Sequence, residues 1–154
     1  MTTEHVSPKQ IKSFRRFFEK LLHGKDFTLI ILRCHLLLEE QIRAIVDERL
    51  VNPTSLSEAC LECHQWICLA EALCPADVEP ILWKSAKKLN KLRNDIAHKL
   101  DPQGLNERVA DFVNGFPSGI EDPNDSLQER FEKSLLSLFI LMTALTEKDI
   151  IELL

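Results

Sequence analysis

The sequence predicts an all-α fold: an antiparallel helical bundle of four long helices plus one short helix. Three observations carry the prediction. Apolar residues recur at helical spacing along most of the chain. Serine caps with Glu or Gln three residues on, and Pro at first helical positions, punctuate that pattern. Only four Gly occur in 154 residues and hairpin signals are lacking, so the turns an all-β fold would need are scarce.

Each element has its own start and stop. Ser7-Pro8-Lys9-Gln10 reads as a capping box opening a helix with apolar positions Ile11, Phe14, Phe17, Phe18, Leu21 and Leu22, closed at His23-Gly24. Asp26 caps a longer helix through Leu50, with Phe27, Ile30, Ile31, Cys34, Leu38, Ile42, Ile45 and Val46 on its inner face. Asn52-Pro53 ends it. Ser55-Leu56-Ser57-Glu58 is a second box, starting a helix expected to reach Leu73 before Cys74-Pro75. Asp77 and Pro80 open the next, which runs to His98 or Leu100. Residues 101–125 hold three of the four Gly and three of the seven Pro, and read as a loop-rich insertion with one short helix over Asn106–Asn114. Ser126-Leu127-Gln128-Glu129 launches the last helix, to Leu145 or beyond. Residues 1–154 form one expected domain.

Composition removes several function classes. No apolar run reaches the ~18 residues of a membrane span, and the N-terminus lacks a signal core, so a soluble cytoplasmic protein with no membrane partner is expected. Charge divides unevenly: +2 over residues 1–50, 0 over 51–100 and −7 over 101–154. A generic polyanion binder would not look so. One stretch departs from this, with Lys84, Lys87, Lys88, Lys91, Arg93 and Lys99 against the single acid Asp95. It is either a solvated helix face or a place to hold phosphate.

The five Cys (34, 60, 63, 68 and 74) are an odd number, read as reduced thiols. Cys60-Leu61-Glu62-Cys63-His64 matches the string of c-type haem attachment but falls inside a predicted helix. Cys60 and His64 lie one turn apart, as zinc ligands can, but Cys68 is two turns on, about 12 Å, too far to share the ion, so a site would need ligands from elsewhere, such as Cys34 or His35. The stripe Cys60, Cys63 and Cys68 therefore reads as packing, and no metal or cofactor is expected. His35, Glu39 and Glu40 read as a solvated face, and Trp66 and Trp83 as core or interface anchors. Gly-rich phosphate loops and nucleophile elbows are absent from the sequence.

The segment Leu89-Asn90-Lys91-Leu92-Arg93-Asn94-Asp95-Ile96-Ala97-His98 remains. On a regular helix Leu89, Leu92 and Ile96 form the buried stripe, and Asn94 and His98 stand about 40° apart on the polar side. Arg93 borders the stripe about 140° from His98, so the two cannot pair within one helix. They converge only if the helix end distorts or a second copy of the chain supplies the partner. Spacing alone favours an Arg93 snorkelling beside the core and a His98 near the negative end of the helix dipole.

Arg93-Asn94-Asp95-Ile96-Ala97-His98 resembles the signature of the HEPN superfamily, an Arg, a polar residue and a His four to six positions after the Arg. The surrounding LNKLRNDIAHKLDPQ is similar to proteins of the mannitol operon repressor type in that superfamily. The resemblance implies a helical homodimer with two copies of the motif facing one cleft. It also implies RNA as ligand and, in many members, a metal-independent endoribonuclease of toxin or defence type paired with an antitoxin. Carried over, His98 is the general acid/base, Arg93 binds the scissile phosphate, and Asn94 orients one or the other. Lys87, Lys88 and Lys91 could supply sequence-independent phosphate contacts. The repressor-type resemblance carries a second class, a non-enzymatic regulator acting through a protein partner.

Overall fold

The computed structural model describes residues 26–98 and 102–146. Among them the chain forms five α-helices and no strand: α1 Phe27–Arg49, α2 Cys63–Leu73, α3 Pro80–Ala97, α4 Pro102–Gly115 and α5 Leu127–Ala144. The expected helix opened by Ser7-Pro8 lies outside the described residues. No described helix is long and apolar enough to cross a membrane.

α1 is the spine. Asp26 caps it by accepting the Leu29 N–H at 2.9 Å, and the inner face Ile30, Ile31, Cys34, Leu38, Ile42, Ile45 and Val46 is fully buried. α2, α3 and α5 all pack on α1, and α4 is held between α3 and α5. Phe131 of α5 meets both Phe112 of α4 and Phe27 of α1 edge-on, with centroids 5.5 and 5.9 Å apart. Register between α1 and α5 is fixed at their far ends. The Arg49 guanidinium donates to the Ile45 carbonyl of its own helix and to the Leu145 carbonyl beyond α5, at 2.9 and 2.8 Å.

Two boundaries differ from the sequence expectation. The Ser55 box does not open a helix: Pro53–Leu56 is one 3₁₀ turn, and Cys60 adopts the left-handed region (φ 51°), where a helix cannot continue. Residues 57–60 are all exposed, so no apolar burial rewards a helix there. α2 starts instead at Cys63, where the Glu62 N–H donates to Gln65 Oε1 at 2.8 Å. The second difference is α4, 14 residues rather than the short helix over Asn106–Asn114. Pro102 is compatible with a first helical position, and Val109, Phe112, Val113 and Phe116 bury one face, enough to carry a helix through Gly104. The loop is thereby confined to the segment after Gly115, where Gly119 takes a positive φ of 77°.

Candidate functional site

α3 presents the motif because its other face is committed to the core. Leu82, Trp83, Ala86, Leu89 and Leu92 are buried, which leaves Lys91, Arg93, Asn94, Ala97 and His98 exposed. Trp83 is a core anchor. Ile96, expected on the buried stripe, is half-buried near the helix end. Arg93 is exposed, and its charge still acts on the half-buried Cys63 thiol.

The structure brings Arg93 and Asn94 together: the guanidinium donates to Asn94 Oδ1 at 3.4 Å. His98 is the C-cap of α3, leaving helical geometry at φ −92°, ψ 16°, while its N–H donates to the Asn94 and Asp95 carbonyls at 3.2 and 3.1 Å. Asn94 therefore touches Arg93 with its side chain and His98 with its main chain. No hydrogen bond among the described residues joins Arg93 to His98, in keeping with their angular separation.

The lysines divide. Lys87 Nζ pairs with Glu71 of α2 at 2.9 Å, and Lys88 Nζ with Asp111 of α4 at 3.5 Å, so both tie α3 to its neighbours. Such partly exposed pairs contribute up to about 1 kcal/mol each. Lys91 is exposed, on the same stretch of helix as Arg93 and Asn94.

A second constellation lies behind this surface. His35 is not on a solvated face: it is buried at 6% exposure, and its Nε2 is 2.9 Å from Asn90 Oδ1. Since a side-chain amide oxygen only accepts, Nε2 carries the proton. Glu39, one turn along α1, places Oε1 3.8 Å from His35 Nδ1, and Cys63 at the start of α2 completes the group. Burial pushes the Cys63 thiol up to about 11, helped by the Glu39 charge, while Arg43 and Arg93 pull the other way. Arg43, from the next turn of α1, stacks over Trp66 at 5.3 Å from the ring centroid.

The cysteine stripe does not exist as expected. Cys60 lies outside α2 and Cys60 and Cys68 are exposed, so neither packs a core, and only Cys63 faces inward. Cys34 and Cys74 are buried, and all five thiols are free. The sequence reading singled out His35 and Glu39 but not their connection to Asn90 and Cys63. A polar Asn90 one residue after Leu89, on a helix whose neighbours are buried, was the available signal.

No family model, curated protein or solved structure matches this chain.

Proposed function

We propose that this chain is a cytoplasmic, HEPN-type RNA-binding protein, an antiparallel bundle whose Arg93, Asn94 and His98 build a metal-independent endoribonuclease site completed by a second copy. The observation that carries this reading is their joint exposure at the end of α3, with Asn94 bonded to both neighbours.

The chemistry follows from the residue types. Imidazole titrates near neutral pH, so His98 can take the 2′-hydroxyl proton as that oxygen attacks the adjacent phosphorus. The bond to the 5′-oxygen breaks, and a protonated imidazole returns a proton to that leaving oxygen. The products are a 2′,3′-cyclic phosphate and a 5′-hydroxyl. Guanidinium matches the non-bridging phosphate oxygens and stabilises their charge as the phosphorane forms. Arg93 and His98 stand on different sides of one helix, so Arg93 of one copy serves the cleft of the other's His98.

A specific observation favours the second reading, a regulator resembling the mannitol operon repressor and working through a protein partner. Lys87 and Lys88 are engaged in ion pairs within the chain, leaving Lys91 as the exposed member of the three proposed phosphate contacts. One assay separates the two. Purified protein incubated with RNA in EDTA yields 2′,3′-cyclic phosphate ends, and His98→Ala lowers the rate at least about 10²-fold with helicity unchanged. Wild-type protein that binds but never cleaves RNA of any sequence supports the regulator instead.

A further inference from the structure

We propose that His35, Glu39 and Cys63 form a binding site for one divalent cation of the zinc class, with Asn90 holding the imidazole from behind. One ligand atom from each of the three residues lies within 4.8 Å of the others, drawn from successive turns of α1 and the first residue of α2.

The imidazole supplies the decisive observation. His35 is more than nine-tenths buried and its Nε2–H is spent on Asn90 Oδ1 at 2.9 Å. Nδ1 makes no hydrogen bond among the described residues, and the Glu39 carboxylate oxygen lies 3.8 Å from it. A buried imidazole nitrogen beside a half-exposed carboxylate offers a cation two donor atoms of the kinds it coordinates. Cys63 Sγ adds a third. The Nε2–H···O=C bond is the arrangement that fixes a metal-binding histidine in its tautomer and orientation.

Ligand type and spacing favour zinc. Nitrogen, oxygen and thiolate sulfur suit a borderline-soft ion, and three protein ligands leave a fourth position for water. Ligand atoms around a tetrahedral zinc stand about 3.4–3.7 Å apart, from bond lengths of ~2.0–2.3 Å. The His35–Glu39 separation of 3.8 Å is close to that, and a small rotation of the half-buried Cys63 and Glu39 side chains brings the remaining atoms in. Charge also balances: glutamate and thiolate neutralise the ion, so Arg43 and Arg93 face no net positive cluster. Capture releases the Cys63 thiol proton to solvent. The metal-free cysteine stripe expected from sequence grouped Cys60 with His64, whereas the folded chain groups Cys63 with His35.

One competing surface pair is present: Cys68 Sγ lies 3.6 Å from His64 Nε2 on the exposed face of α2. The test therefore compares both. Full-length, tag-free protein is titrated with Zn²⁺ against a chromophoric chelator, and cobalt(II) replaces zinc to report thiolate ligation by its near-ultraviolet charge-transfer band. One equivalent of zinc is expected, with affinity lowered at least about 10-fold by Asn90→Ala through its outer-shell bond and further by Cys63→Ser or Glu39→Gln. The cobalt thiolate band is expected to vanish in Cys63→Ser, whose helical circular dichroism stays native, and to persist in Cys68→Ser. Absence of stoichiometric zinc overturns the proposal. So does zinc that survives Cys63→Ser but is lost in Cys68→Ser.

Discussion

Asn90 and Asn94 are one turn apart on α3, the first buried and the second exposed. Asn90 points inward and holds His35, whereas Asn94 is exposed and links Arg93 to the backbone of His98. Removing the inner one leaves a buried imidazole N–H without an acceptor, which costs about 1–3 kcal/mol. Asn90→Ala is therefore expected to lower the urea midpoint clearly. Asn94→Ala, made in solvent, is expected to leave it nearly unchanged. Equal midpoints for the two variants would show that the His35 bond contributes nothing in solution. The Arg93–Asn94–His98 grouping was legible in the sequence because it lies within six consecutive residues of one helix. The His35–Asn90 bond was not, since it joins residues 55 apart and depends on which faces of α1 and α3 meet. A single sequence gives each helix's apolar face but not the rotational register between two helices.

Helix ends decide how well the elements could be read. Asp26 and Ser126 are legible because their capping bonds reach only three residues on: Ser126 Oγ accepts the Glu129 N–H at 3.1 Å and donates to Glu129 Oε1 at 3.2 Å. Ser55-Leu56-Ser57-Glu58 has the same letters without an apolar face to follow it, and the helix waits for Cys63. α4 shows the converse, where core burial overrides the Gly and Pro that argued for a loop. A cap is thus worth its energy only where packing already favours the helix. Ser126→Ala is expected to cost ~1 kcal/mol, seen as a lowered urea midpoint, and Ser126→Asp to recover most of it. By contrast Ser55→Ala is expected to be silent. A loss at Ser55 as large as that at Ser126 would contradict the boundary described for α2.

Core burial of its thiols couples the stability of the fold to alkaline pH. Burial pushes the Cys34 thiol up from 9.0 to about 12, with the Glu132 charge adding to the effect, and Cys63 and Cys74 move in the same direction. A thiol harder to ionise in the folded chain than in the unfolded one stabilises the fold fully below the unfolded value of about 9. That contribution is lost as pH rises from about 9 towards 12. The melting temperature is expected to fall across this window, more shallowly in Cys34→Val. Parallel slopes for the wild type and the variant would assign the loss to other groups.

Mixed dimers test whether two copies of the chain share one RNA-cleaving site, as proposed. Arg93→Ala and His98→Ala proteins are each expected to be nearly inactive alone. After equal amounts are unfolded and refolded together, half the dimers carry one of each variant. In those dimers the intact Arg93 of one copy meets the intact His98 of the other at one of two sites. The mixture is therefore expected to regain about a quarter of the wild-type rate of RNA cleavage in EDTA. A mixture no more active than the better single variant, in protein shown to have exchanged partners, contradicts the shared site.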